Sequence, residues 1–377
     1  MNDLYGYELS ERAWIWLSGA LGLNIKLAEE LIYLNDGLLP LFDSVMTNGA
    51  ARYPDKIKEH IKEALVRLAD DGYIDKTIET YSENGVRIVT RASKDYPALL
   101  REIPDPPLML FVKGRLKADP RLPIAVIGAR KCSDYGRDMA GLFGRRLARN
   151  GACVVSGMAV GCDSAAAWGA LEAGGNDYPT VAVLGSGIDV VYPKSNDKLY
   201  DEITERGAVV SEYGLGTVPK KELFPRRNRI ISGMSKGVLV IEAAEKSGTS
   251  ITADCAYDQG RDVFAVPGRL TDFCCRGSNA MIKDGTAKPV FDVDDILSEY
   301  GWALMRKEPP IGRNDGKGLP REQKRILDEL ALGEKTPDRL CEILGMDISE
   351  INIYLTEMEL SGIINKLSNG EYSLGNS

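Results

Sequence analysis

Histidine is nearly absent. His60 is the single one in 377 residues, and it lies far along the chain from every glycine-rich or nucleophile-bearing stretch. A serine or cysteine hydrolase with an imidazole base therefore has nothing to build on. Cysteine is sparse and unordered: the seven are scattered, Cys274 and Cys275 stand side by side, and no Cys-x-x-Cys pair occurs. The ligand spacing of a zinc site is missing, and the thiols read as small buried side chains of a reducing compartment. No apolar run approaches the roughly 20 residues that a membrane span needs. The N-terminus is acidic and lacks a basic stretch followed by an apolar one, so no signal peptide is expected. The expectation is a cytoplasmic chain with no cofactor, no metal and no membrane partner.

Charge is unevenly spread. The net charge is −8, but residues 1–80 carry 8 Lys and Arg against 14 Asp and Glu, and residues 321–377 carry 6 against 11. The part between holds 33 against 30, a net of +3. An overall acidic chain argues against indiscriminate nucleic-acid binding and leaves room for a focused basic groove. The length implies two or three domains, and a hydrophobic content of 44% is ample for a core.

Residues 1–80 read as a small helical domain of helix-hairpin-helix or SAM-like character. Trp14, Leu17 and Leu21, then Leu27, Leu31 and Ile32, recur at helical spacing, with breaks at Gly22 and at Asn35-Asp36-Gly37. Ile57, Ile61, Leu65 and Leu68 make a further stripe over residues 54–70. Around residues 72–95 the pattern turns to short β-type runs such as Val86-Arg87-Ile88-Val89.

Residues 81–302 repeat one phrase from residue 124 onward: an apolar β-branched run, a glycine or small polar residue, then a helical stretch. The runs are Ile124–Ile127, Cys153–Val155, Val181–Leu184, Val209-Val210, Val238–Ile241 and Val263–Val266. Continuous apolar strands alternating with helices predict a parallel sheet covered on both faces. The fold class is α/β, a doubly wound Rossmann-like sheet. Ligands of such folds sit at the carboxyl ends of the strands, where this chain gathers its glycines. The first turn, Gly128-Ala129-Arg130-Lys131, departs from G-x-G-x-x-G, which speaks against NAD. Arg130 there suggests a phosphate met by a side chain; a salt bridge at the sheet edge is the plain alternative.

The second loop runs Ser156-Gly157-Met158-Ala159-Val160-Gly161-Cys162-Asp163, with Asp163 read as a helix cap. Gly185-Ser186-Gly187 can form an anion-binding nest, and Tyr192-Pro193-Lys194 adds a ring and a charge. Ser247-Gly248-Thr249-Ser250 opens a helix with hydroxyls and free N–H groups. The densest signal is Phe224-Pro225-Arg226-Arg227-Asn228-Arg229, preceded by Lys220 and Lys221. Guanidinium forks match phosphate oxygens, and a ring beside them offers a face to a base. Phe224-Pro225 is expected to be extended, because a residue before proline is pushed out of the helical region. A helix should start just after Pro225, with Ile230 and Ile231 on its buried side. A solvated surface turn is the bland reading of such a run in isolation.

Residues 303–320 read as a linker, with Pro309-Pro310 and Gly316-Lys317-Gly318. Residues 321–377 follow as three helices and a hairpin, with a helix start at Thr336-Pro337 and a turn at Asn369-Gly370, the pattern of a winged helix. Its third helix carries Glu350, Glu357 and Glu359 and no Lys or Arg. A helix that reads duplex DNA needs basic and amide side chains, so this one favours contact with protein.

Taken together, Ile127–Arg130, Ser156–Asp163, Ala182–Asp189, Tyr192–Lys194, Phe224–Arg229 and Glu242–Ser250 closely resemble the DprA/Smf family of DNA-processing proteins of bacterial natural transformation. Asp95–Leu100 and Pro106–Phe111 fit the same family, and the resemblance covers about residues 85–300 continuously. It implies single-stranded DNA held in a basic pocket, a homodimer formed through the Rossmann-like domain, loading of a RecA-type recombinase, and no enzymatic activity. Carried over by motif, Arg130, Lys194 and Lys221 would meet phosphates and Phe224 would pack on a base. Arg226, Arg227 and Arg229 would hold phosphates or the pocket wall, with Asn228 beside them. Gly128, Ser156, Gly157, Gly161, Ser186, Gly187, Ser247, Gly248 and Thr249 complete the expected DNA-binding set. The family usually has isoleucine where Cys162 stands and histidine where Trp168 stands.

Two other readings remain open from the residues. One is a nucleotide-hydrolysing Rossmann-like enzyme. Its pattern would place a catalytic glutamate where Thr252 stands, which leaves Glu212 and Glu242 as candidates, Glu242 being read as the partner of a nearby arginine. The other is a regulator reading duplex DNA through the winged helix.

Overall fold

A computed structural model describes residues 6–245, 247–302 and 319–374. The expected linker over 303–320 lies, but for its last two residues, outside the described residues.

Five helices come first: α1 (Leu9–Leu21), α2 (Ile25–Leu34), α3 (Leu38–Asn48), α4 (Glu59–Leu68) and α5 (Asp71–Glu83). The β-type pattern expected from residue 72 is displaced by α5, which runs to Glu83. Asp70 caps it by accepting from the Tyr73 N–H at 3.0 Å, and Ile74 and Ile78, one turn apart, are both buried. Trp16 is fully buried and donates its indole N–H to the Leu65 carbonyl at 2.8 Å, tying α1 to α4. This helical segment does not close on itself. Its core runs on into Phe111, Leu184, Leu199 and Val209 of the sheet region, and the Tyr81 and Phe111 rings stack at 4.3 Å.

The sheet has nine strands: β1 (Arg87–Thr90), β2 (Met109–Gly114), β3 (Pro123–Ile127), β4 (Cys153–Ser156), β5 (Thr180–Leu184), β6 (Ala208–Ser211), β7 (Gly237–Val240), β8 (Asp262–Ala265) and β9 (Lys288–Pro289). Their order is β1-β2-β6-β5-β4-β3-β7-β8-β9. From β6 to β9 every pairing is parallel, while β2 runs antiparallel to β6 and β1 to β2. The short helix α6 (Ala98–Arg101) follows β1, and α7 (Asp134–Arg149) and α8 (Cys162–Glu172) follow β3 and β4. Helix α9 (Asp197–Arg206) follows β5, α10 (Leu223–Gly233) follows β6, and α11 (Gly248–Asp258) follows β7. Helices α12 (Arg276–Lys283) and α13 (Val293–Leu297) complete this part.

One face of the sheet buries Met139 and Phe143 of α7, Ala166 and Ala170 of α8, and Val293 and Ile296 of α13. The other buries Leu100 of α6, Ile230 and Ile231 of α10, and Ala253 and Ala256 of α11. Each large apolar chain removed from water this way contributes about 1.5–3 kcal/mol. The doubly wound parallel sheet is thus observed, with an antiparallel β1–β2 extension at one edge.

The strand order reverses between β3 and β7: the chain leaves β3 toward β4 and later returns to β7 on the opposite side. That switch point opens a crevice outside the carboxyl ends of the two strands.

One local expectation fails at α10. Phe224 and Pro225 are helical, not extended, because the helix begins at Leu223. Pro225 falls in the first turn, where a backbone N–H would have no intrahelical acceptor, so its missing hydrogen costs nothing.

The C-terminal residues form α14 (Arg321–Ala331), α15 (Pro337–Leu344), α16 (Ile348–Leu360) and the hairpin β10 (Ile364–Lys366) with β11 (Tyr372–Leu374), the arrangement of a winged helix. Thr336 caps α15 by accepting from the Arg339 N–H at 3.3 Å, and Gly345 ends it in a left-handed conformation.

Candidate nucleic-acid interface

The crevice at the switch point is a cavity of about 860 Å³. The loop after β3 supplies Gly128, Ala129, Arg130 and Lys131. The stretch before α10 and its first turns supply Lys220, Lys221, Phe224, Arg227 and Asn228. The start of α11 supplies Ser247, Gly248 and Thr249.

Among the described residues five of the lining side chains are cationic: Arg130, Lys131, Lys220, Lys221 and Arg227. The only lining carboxylate among the described residues is Asp163. Four of the cations, Arg130, Lys131, Lys220 and Lys221, are exposed, and among the described residues none of these four forms a salt bridge. In a chain of net charge −8, low-dielectric walls around this cluster focus a positive potential on the cavity.

Asp163 and Arg227 form the floor. Asp163 is not the cap of α8: Gly161 takes that position. The Asp163 carboxylate instead accepts from the backbone N–H groups of Gly157 (3.1 Å) and Ala159 (3.4 Å), which fixes the loop after β4. Burial pushes the Asp163 carboxyl up, against the pull of Arg227 and of those N–H groups. Burial also pushes the Arg227 guanidinium down to about 10, with Asp163 opposing, which leaves it charged at neutral pH. Arg227 donates to the Gly157 carbonyl at 3.0 Å and to the Val183 carbonyl, so it is anchored across the ends of β4 and β5.

Two glycines make this packing feasible. Gly161 has φ +87°, and a Cβ there would lie 2.3 Å from the Ala129 carbonyl oxygen, so the loop bearing Arg130 rests directly on glycine backbone. A Cβ on Gly185 would lie 2.6 Å from the Phe224 ring. Phe224 is half-buried, with the Arg130 guanidinium 4.8 Å and the Arg227 guanidinium 5.9 Å from its centroid, and the Tyr192 ring 5.8 Å away. Arg130 is therefore held by a ring rather than by a carboxylate, leaving its N–H fork open.

The sequence-predicted residues divide. Gly128, Arg130, Lys221, Phe224, Arg227, Asn228, Ser247, Gly248 and Thr249 line the cavity. Asn228 donates to the Gly248 carbonyl at 3.2 Å, joining α10 to α11, and Ser247 caps α11. Ser156, Gly157, Gly161, Ser186 and Gly187 do not line it. They build the floor and the neighbouring loops: Ser186 donates to the Val190 carbonyl at 2.8 Å, and the Gly187 N–H to the Thr217 carbonyl at 2.8 Å. Lys194 is exposed two residues beyond Tyr192, which does line the cavity.

Arg226 and Arg229 point elsewhere. Arg229 pairs with Glu212 at 2.7 Å and with Asp105 at 2.9 Å, both its own side chain and that of Glu212 being buried. Arg226 donates to the Leu23 carbonyl of the helical segment and lies 3.5 Å from Glu212. Glu242, read from sequence as an arginine partner, instead accepts from the backbone N–H (2.9 Å) and hydroxyl of Ser133. Lys131, Phe273 and Cys274 line the cavity without having been singled out. For Phe273 and Cys274 the signal available in sequence is their place just after β8, at the same end of the sheet.

Among the described residues no group of three or more His, Cys, Asp and Glu could hold a metal ion, and no helix is long and apolar enough to cross a membrane. Residues 87–301 match the family model described as DNA recombination-mediator protein A, and residues 313–370 match that of the DprA winged helix domain. The chain is similar to the DNA processing protein DprA of Streptococcus pneumoniae, 41% identical over 231 residues, which cover 61% of this chain and 78% of that protein. It is similar to Protein Smf of Escherichia coli, 37% identical over 289 residues, 75% of this chain and 76% of that one. Among solved structures, the X-ray structure of DprA from Streptococcus pneumoniae superposes with a TM-score of 0.65 at 34% identity, covering 78% of this chain and 99% of that chain. A Helicobacter pylori DNA processing protein A, described for its single-stranded DNA binding mode, gives a TM-score of 0.51 at 29% identity over 57% of this chain and 95% of that chain.

Proposed function

This chain belongs to the DprA/Smf family of DNA-processing recombination mediators, and from that premise we propose that it holds single-stranded DNA in the basic cavity at the switch point. The observation that carries the reading is the cavity itself: five cations, one buried carboxylate and a half-buried ring in an acidic chain. Arg130, Lys131, Lys220 and Lys221 take phosphates, and Lys194 extends their path beyond Tyr192. The backbone at Gly128 and at the start of α11 offers N–H groups to the same oxygens. Arg227 gives the floor its charge, and Phe224 braces the guanidiniums and shows its remaining surface to a base. Arg226 and Arg229 orient α10 without touching the strand.

The role is positional and not catalytic. Glu212 is neutralised by two arginines, Glu242 is held by Ser133, and Asp163 is held by backbone. Nothing in this set is poised to activate a water. On the same reading the protein works in the cytoplasm, dimerises through the sheet domain and loads a RecA-type recombinase. Its acidic N-terminal segment and winged helix are the surfaces offered to proteins.

Fluorescence anisotropy of a labelled oligo-dT and of a duplex of equal length, across a salt series, tests the reading. Single-strand preference is expected, with log K falling by about 0.7 per log unit of salt for each phosphate contact, or about 3.5 for the five cations named. Failure to bind either form, with turnover of nucleoside monophosphates, would replace it with the hydrolase. Duplex preference would move the site to the winged helix.

A further inference from the structure

Among the described residues three rings line the cavity, Tyr192, Phe224 and Phe273. They are not equally available. Phe224 is already crowded by two guanidiniums and by Tyr192. Phe273 is 65% exposed, against 45% for Tyr192. It sits on the loop that joins β8 to α12, on the rim formed with Cys274 and the β3 loop.

The loop is not loosely attached. The Cys274 thiol donates to the Lys131 carbonyl at 3.6 Å, and the Cys275 thiol to the Glu242 carboxylate at 3.7 Å. The Gly277 N–H donates to the Ala243 carbonyl at 2.7 Å, just past β7. At the loop's other end, Asn279 exchanges two 3.0 Å hydrogen bonds with Gly268. The backbone under Phe273 is thus pinned to the two strands that define the switch point, while the ring itself stays in water. The exposed Arg276 guanidinium lies 5.7 Å from its centroid, as a cation beside a stacking face.

We infer that Phe273 is the principal base-stacking platform of this site, and that Arg276 meets the phosphate beside that base. The inference rests on the single-strand reading above and deepens it. The strand then runs from Lys220 and Lys221, past Arg130 and Lys131, to a nucleotide laid on Phe273. An aromatic face is shared by all four bases as a partner, so the contact adds affinity without reading sequence. A ring held in place before binding loses little freedom when a base stacks on it.

The test compares wild type, Phe273→Ala and Phe273→Trp by anisotropy with labelled oligo-dT across a salt series. Phe273→Ala should weaken binding about tenfold, the loss of one stacked base. Its salt slope should equal that of wild type, because no phosphate contact is removed. Phe273→Trp should keep wild-type affinity, and its added indole emission should be quenched when unlabelled oligo-dT binds, beyond any change in wild type. The exposed position makes both variants fold as wild type, which a melting curve checks. If wild type binds while Phe273→Ala binds equally well, or the added indole shows no quenching, the platform is elsewhere and the cavity reading survives. If wild type binds no single strand, both fall together.

Discussion

Replacing Arg130 with alanine is the sharpest probe of how this cavity works. Its guanidinium lies 4.8 Å from the centroid of Phe224, is exposed, and makes no salt bridge among the described residues. Removing it should cost the fold only its exposed cation–π contact with Phe224, about 0.5–1 kcal/mol. The effect on binding should be much larger. A charge-assisted hydrogen bond to phosphate contributes about 1.5–3 kcal/mol, which is roughly a 10- to 150-fold loss of affinity for oligo-dT. The salt slope should flatten by about 0.7, the counterion release of one phosphate contact on a single strand. Arg130→Lys separates charge from geometry: it should restore the slope and only part of the affinity, since an ammonium lacks the planar fork. Anisotropy titrations at four or five salt concentrations, with a thermal melt as control, measure all of this. A folded Arg130→Ala protein with unchanged affinity and slope would remove Arg130 from the site and refute the reasoning.

Other consequences are equally direct. Arg229→Met strips the buried Glu212 of its closest partner and should destabilise the fold by about 3–5 kcal/mol in urea titrations; the salt slope of the remaining folded protein should equal that of wild type, because Arg229 faces away from the cavity. Gly161→Ala forces a side chain into φ +87° and onto the Ala129 carbonyl, so it should cost about 1–3 kcal/mol of stability and weaken oligo-dT binding by displacing the Arg130 loop. The neighbouring Cys162 thiol holds Cys132 below the ordinary thiol range, while Cys153, Cys162, Cys255, Cys274, Cys275 and Cys341 all lie above it. A lower value means more thiolate at neutral pH. Iodoacetamide should thus label Cys132 first by peptide mass mapping, and Cys162→Ala should slow that labelling.

The cavity joins two opposed demands. A chain of net charge −8 repels phosphate at long range, yet five cations collect in one crevice. They are brought there by two separate connections of the sheet, after β3 and after β6, and not by one basic run. Two buried acidic residues of that neighbourhood are consumed internally. Glu212 lies behind α10 with Arg229 and Arg226, and Glu242 lies beneath the β3 loop against Ser133.

What the sequence determined by itself was the periodic skeleton and the end of the sheet where chemistry gathers. Runs such as Ile124–Ile127 and Val238–Ile241 have no polar side to show to water, so they imply central strands buried on both faces, and the glycines after them mark where a ligand can approach. The winged helix was equally legible, because Thr336-Pro337 and Asn369-Gly370 are local signals that act within a few residues. Tertiary structure decided everything that depends on which way a side chain leaves its element. Arg226, Arg227 and Arg229 are near neighbours in sequence, yet only Arg227 lines the cavity, since positions on a helix diverge by about 100° per residue. Local bias also gave way at Phe224-Pro225, where the first turn of α10 tolerates a proline that the pair rule places outside a helix. Phe273 could be weighed only once β8 was seen beside β7, because strand order is set by long-range pairing that no local pattern encodes.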